Sequence, residues 1–243
     1  MGTVIDVNTV FGIWPVRKVE ISLEMLLSIL ERGNVSKALS LSARGIFYDY
    51  HEGNDETLAV SQQDARIIPV ATINPARYFG IVEEVQKRID QGFRVFRFFP
   101  RYQDWHLDYA PFSRVIKALA QTPAILMLPA SEGINNVARL SEKIKNPVII
   151  DTLRYFNLAE ALVVMQENPR IFVETHLINS ANFVELLVQE VGAERVLFGS
   201  STPLNYLSSA RMPIEMAEVT LDQKALILGG NILRLLEMAN ENH

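Results

Sequence analysis

Glu174 and His176 stand two positions apart at the end of an apolar run, Ile171–Thr175. In an extended strand, residues i and i+2 project to the same side, so a carboxylate and an imidazole would meet there. Such a pair can hold a neutral imidazole ready as a general base. The plainer alternative is a satisfied polar pair at the rim of the fold. Asp151 closes another apolar run, Val148–Asp151, and a buried carboxylate needs a partner. Arg97, Arg101 and Arg154 fall at or just beyond strand ends, and Arg44 follows a further strand. A guanidinium grips carboxylate or phosphate with two parallel hydrogen bonds. Two or more of these arginines converging would predict an anionic ligand, and isolated ones would be surface ion pairs.

Other side chains have two readings. His51, His106 and His176 all follow strands, and a fourth histidine, His243, is terminal. The three could form a metal site if their loops converged, and otherwise are separate surface or capping residues. Ser200, Ser201 and Thr202 lie between Gly199 and Pro203. They could receive a phosphate, or the glycine and proline could simply shape a turn. Phe11, Trp14, Tyr48, Tyr50, Phe99, Tyr102, Trp105 and Tyr155 fall in segments after strands. There they would line an enclosed, partly apolar mouth for a small organic ligand, unless helix packing claims them.

These residues need elements to bring them together. Buried parallel strands read as short continuous apolar runs. Eight occur: Val4–Val7, Val35–Leu41, Ile67–Ile73, Arg94–Phe98, Ala124–Leu128, Val148–Asp151, Ile171–Thr175 and Arg195–Phe198. Amphipathic stretches separate most of them. In one, Val82, Val85 and Ile89 form the apolar face, with Glu83, Lys87, Arg88 and Asp90 opposite. Helices are also expected around residues 23–30, 112–120, 137–144, 159–166, 183–191 and 225–238. Gly33, Gly92 and Gly192 mark helix ends, and Pro123, Pro147 and Pro169 each precede a strand. The stretch from Ala43 to Ala65 reads as a long excursion over the strand ends, a lid or rim. Eight strand–helix units in a chain of 243 residues predict one α/β domain, residues 1–243, folded as a (β/α)8 TIM barrel. The chemistry would then sit at the carboxyl ends of the strands.

Composition narrows the function. A net charge of −5 with scattered Lys and Arg argues against nucleic acid or an anionic membrane as partner. The absence of cysteine excludes disulfides, a thiolate nucleophile and Cys-based metal sites. No apolar run approaches the roughly 18 residues of a membrane span, and Met1–Asp6 does not read as a signal peptide. A cytoplasmic location is expected.

Several phrases in register resemble the amidohydrolase superfamily, in its amidohydrolase-2 branch of metal-dependent TIM-barrel hydrolases. Asp6-Val7-Asn8-Thr9-Val10-Phe11-Gly12 is similar to that family's opening Asp-x-His-x-His-x-Gly. Asn74-Pro75 and Gly92–Pro100 resemble the phrases of its third and fourth strands, and Asn168–Val173 the approach to its seventh. Arg195–Pro203 resembles Arg-Val-Leu-Phe-Gly-Ser-Asp-x-Pro, and Gly229-Gly230-Asn231 with Arg234-Leu235-Leu236 resembles the Gly-Gly-Asn-Ala-x-Arg-Leu-Leu end of its last helix.

The family's metal ligands do not carry over. Its two first-strand histidines fall on Asn8 and Val10, the fifth-strand histidine near Leu128, the sixth-strand histidine on Thr152 and the final aspartate on Ser201. Hydroxyls and amides are poor zinc ligands. The expectation is therefore no metal and no cofactor, with the hydrolytic metal chemistry lost. The residues expected to act are His176, Glu174 and Asp151 as catalytic groups, and Asn8, Arg97, Arg154 and Ser201 as contacts to a small anionic organic ligand. The expected activity is that of a hydrolase or lyase on a carboxylated molecule. A non-catalytic descendant that binds a small molecule or protein, and a rebuilt metal site, stay open. The resemblance also implies a homodimer.

Overall fold

The computed structural model describes residues 2–16 and 19–241. Among these residues nine strands form one sheet: β1 Ile5–Trp14, β2 Val19–Ile21, β3 Lys37–Ser42, β4 Ile67–Ala71, β5 Val95–Arg97, β6 Ile125–Pro129, β7 Val148–Asp151, β8 Ile171–Glu174 and β9 Val196–Leu197. All but β2 run parallel, in the order β1-β3-β4-β5-β6-β7-β8-β9. The sheet curls until its ends meet. Val7 donates to the Phe198 carbonyl at 2.9 Å, Val10 donates to the Thr202 carbonyl at 3.1 Å, and Thr9 bridges Thr202 in parallel. The eight parallel strands are those expected from the apolar runs.

Side chains alternate across each strand and so divide between two apolar layers. Ile125, Met127, Ile149, Phe172 and Leu197 pack with Val7, Leu39, Val70 and Val95 inside the barrel. Leu126, Leu128, Ile150 and Val173 pack outward against helical residues such as Leu26, Val85 and Phe112. The final helix, Asn231–Glu241, sends Ile232, Leu235, Leu236 and Ala239 into the inner layer and closes the end where the strands begin. No helix of the described residues is long and apolar enough to cross a membrane.

Three expectations need correcting. The first strand continues to Trp14 and turns into β2, an antiparallel addition with Gly12 opposite Ile21. The stretch 43–65, expected as a long excursion over the strand ends, is two helices, Ala43–Phe47 and Tyr50–Gln63, N-capped by the side chains of Ser42 and Asp49. In the helix Ile81–Asp90, Arg88 and Glu84 are buried while Val82 is exposed. Arg88 bonds Glu84 at 2.6 Å, Asp55 at 2.5 Å and the His51 carbonyl at 3.0 Å. A fully paired guanidinium replaces the apolar contact expected of that face.

Candidate functional site

Strand ends β5 to β9 surround a pocket of about 670 Å³. Among its lining residues are Arg97, Arg101, Asp151, Thr152, Arg154, His176 and Ser201, with Trp14, Phe99 and Tyr102 as aromatic walls. Three of the four arginines singled out above thus converge. The fourth, Arg44, pairs with Glu52 on the surface at 3.0 Å. The side chains of Arg101 and Arg154 are exposed and have no hydrogen-bond or ion-pair partner among the described residues. Of the aromatics, Phe11 and Trp105 are core residues, and Tyr48 and Tyr50 border a separate cavity of about 260 Å³.

Beneath the pocket runs a continuous polar network. Arg97, 6 % exposed, donates from Nε to Asp151 Oδ2 at 2.8 Å and from Nη1 to Asn8 Oδ1 at 2.7 Å. Its guanidinium carbon stands 5.0 Å from the centre of the Phe99 ring. That bond to Arg97 orients the Asn8 amide and puts Nδ2 3.1 Å from His176 Nδ1. The same ring nitrogen lies against Glu174 Oε1. An ionised carboxylate there keeps the proton on Nδ1, so Nε2 is the nitrogen free for a ligand.

The backbone is bent to hold Glu174 in place. Thr152 has φ +57° and donates its N–H to Glu174 Oε1 at 3.0 Å, while the His176 N–H donates to Oε2 at 3.0 Å. A left-handed β-branched residue is an outlier of the kind found at functional sites. Ser201 is also left-handed, at φ +59°. Gly199 is required because a Cβ would sit 2.2 Å from Glu174 Oε2.

Two neighbouring buried carboxylates are driven in opposite directions. Burial raises the pKa of Asp151, and the nearby Glu174 adds to it, more than Arg97 and His176 lower it. Burial also pushes Glu174 upward. There the charge and hydrogen bonds of His176, with Arg97 behind them, prevail and hold it below the usual carboxylate value. Asp151 Oδ1 and Thr152 Oγ1 are buried without a hydrogen-bond partner. One oxygen of the more easily protonated acid is therefore unused at the pocket floor.

Other placements differ from expectation. Asn8 is not among the pocket's lining residues; it accepts from Arg97 and stands beside His176. A register shift in β1 between Asp6 and Thr9 is the cause: it lets Asn8 join Val7 in facing inward. Ser200 and Thr202 are fully buried and bonded to each other at 2.6 Å, with Ser200 also bonded to Asp6, so they cannot cradle a phosphate. Asp6 accepts N–H bonds from Asn8 and Ser200, both at 3.0 Å, and burial lifts its pKa to about 7 against those bonds.

His51, His106 and His176 do not converge. They pair separately with Glu84, Glu132 and Glu174, and His243 lies outside the described residues. The positions expected of a metal site do not fit a divalent ion. Val10 packs in the inner apolar layer and Leu128 faces the helices. Asn8 Oδ1 already accepts from Arg97 and its Nδ2 is a donor, while Thr152 and Ser201 offer only hydroxyls. Among the described residues no three His, Asp or Glu side chains form a metal-binding group. A cation at about 4 Å from the Arg97 guanidinium would also meet a repulsion of about 4 kcal/mol per unit charge.

The model of a family described as amidohydrolase matches residues 50–238. No curated protein matches the sequence. Among solved structures, 5-carboxyvanillate decarboxylase LigW from Sphingomonas paucimobilis is similar with a TM-score of 0.77 at 15% identity, over 98% of this chain and 99% of that one. The 2,6-dihydroxybenzoate decarboxylase from Rhizobium gives 0.77 at 13% identity, over 98% and 99%. A 5-carboxyvanillate decarboxylase from Novosphingobium aromaticivorans, complexed with manganese and 4-hydroxy-3-methoxy-5-nitrobenzoic acid, gives 0.78 at 12% identity, over 97% and 96%. At such identities the likeness speaks for the TIM-barrel fold.

Proposed function

Because this chain belongs to the amidohydrolase family, we propose that its pocket binds a small carboxylated organic molecule and performs lyase or hydrolase chemistry led by proton transfer, without the divalent metal. The observation that carries this reading is the opposed pair Asp151 and Glu174 on the floor of an arginine-lined pocket. Where two carboxylates are pushed apart in pKa, one serves as acid and the other as a permanent charge. Asp151 is the proton donor, through its unpaired Oδ1. Glu174 stays ionised and keeps His176 Nε2 ready to take a proton. Arg154 and Arg97 hold the carboxylate, Ser201 contributes a hydroxyl at the rim, and the aromatic walls suit a planar ring. The aromatic carboxylates named for the similar decarboxylases support that class of ligand.

The test is to incubate the protein with 5-carboxyvanillate and 2,6-dihydroxybenzoate while following CO2 release and thermal stabilisation. Both ligands should stabilise the fold. Where turnover is found, Asp151→Asn and His176→Gln should each lower kcat by about 10²–10⁴, while Arg154→Ala should mainly raise KM. Asp151→Asn with undiminished kcat removes Asp151 as the acid.

A second reading is a binding protein without turnover. It is favoured by the engagement of Arg97 with Asp151 and Asn8, which leaves these groups occupied by one another. That reading predicts stabilisation by the same ligands with no product formed.

A further inference from the structure

Arg97 is the fixed cation of the pocket. Arg101 and Arg154 are exposed and unpartnered, whereas the Arg97 guanidinium is buried, doubly bonded to Asn8 and Asp151, and backed by Phe99. Its Nη2 has no hydrogen-bond partner among the described residues. Asn8 stands at the first position where the resemblance expects a metal ligand, and Asp151 directly precedes Thr152, which stands at another. The positive centre of the site is thus already built into the chain.

We propose that the Arg97 guanidinium acts as a resident cation in the role of the divalent ion, with Nη2 gripping a carboxylate or developing oxyanion of the ligand. This rests on the carboxylate reading above and deepens it. A bound metal does two separate things: it stabilises negative charge, and it lowers the pKa of a bound water to create a nucleophile. A guanidinium does the first, since it is always charged and offers directed donors. It has no vacant coordination position and cannot do the second.

The substitution therefore selects among reactions. Charge stabilisation combined with proton delivery from Asp151 Oδ1 survives, and attack by a metal-bound hydroxide does not. It also sets the ligand's pose. Nη2 as a donor and Asp151 Oδ1 as an acceptor, or as a donor when protonated, stand on one side chain pair. They match a group with an anionic oxygen next to a second polar atom, such as a carboxylate ortho to a phenol.

The experiment uses the full chain, treated with a chelator and desalted, with 2,6-dihydroxybenzoate as probe and Mn²⁺ and Zn²⁺ titrated separately. Elemental analysis of the purified protein before chelation should find no metal near stoichiometry, and neither metal should bind the chelated protein at micromolar concentration. Probe affinity should be the same before and after chelation. Arg97→Ala should weaken it by roughly 10–100-fold, the worth of a hydrogen bond to a charged group. Guanidinium chloride at low millimolar concentration should restore part of the loss, and Arg97→Lys should fall between. If the alanine variant does not fold by circular dichroism, the lysine variant carries the comparison. One metal ion per chain, loss of probe affinity on chelation, or wild-type affinity in a folded Arg97→Ala overturns the proposal. A wild-type protein that binds no probe sinks the carboxylate reading, and the metal measurements still decide the claim made for Arg97.

Discussion

Asp6 shows how much of the chemistry depends on partners far away in the sequence. It holds a proton more tightly when folded than when unfolded, because burial outweighs its bonds to Ser200 and Asn8. Between about pH 4 and 7 the folded chain therefore carries the extra proton. Stability from this group is full below that window, falls as pH rises through it, and levels off above. Glu174, held low by His176 and Arg97, works in the opposite sense and loses its contribution as pH falls below the ordinary carboxylate range. Asp6→Asn keeps an acceptor for both N–H groups and should flatten the stability slope between pH 4 and 7. At pH 8 it should be neutral or stabilising by up to about 4 kcal/mol, the full linkage limit. Urea denaturation across that range measures it, and an unchanged slope would assign the titration elsewhere. The pairing of Glu174 with His176 was legible because strand alternation puts i and i+2 together. The role of Asn8 was not, since a register shift turns it inward and its partners are 89 and 168 residues away.

Elements became legible where their burial follows a simple period. The strands did, being covered on both faces, and so did helices with an apolar stripe. The helix Tyr50–Gln63 did not, because what it buries is largely polar: Asn54 exchanges hydrogen bonds with the Thr72 backbone at 2.9 and 3.0 Å, and Thr57 caps the Ser42 N–H at 2.9 Å. That helix crosses Ala43–Phe47 at two glycines, where a Cβ on Gly53 would stand 2.2 Å from the Gly45 nitrogen. Gly53→Ala must push the two helices apart, and the expected cost is about 3 kcal/mol, at the upper end of ordinary overpacking. Chemical denaturation would read it, and an unmoved midpoint would refute the crossing. The change should also reach the pocket. Gln103 Nε2 donates to the Ile46 carbonyl at 3.3 Å, tying this pair to the short helix Pro100–Gln103 that carries Arg101 and Tyr102.

At the scale of the whole molecule the barrel has a floor and a seam. The floor is the helix Asn231–Glu241, whose inward residues join the interior layer. Ile232→Ala should cost about 2–5 kcal/mol, as a cavity in a packed interior does, whereas Glu237→Ala, on the exposed side, should be near neutral; thermal melts of the two separate the faces. Eight strand runs announced the closed sheet, but nothing in them announced what joins its ends, since Asp6 and Ser200 read locally as unrelated polar residues. The seam has a consequence for how the chain is made. Asp6 and Ser200 meet across 194 positions, so the first strand leaves the ribosome long before its closing neighbour exists. Through most of synthesis the border of β1 ahead of Gly12 has no partner strand, a template for wrong pairing, and the nascent chain depends on residues 196–202 to cover it.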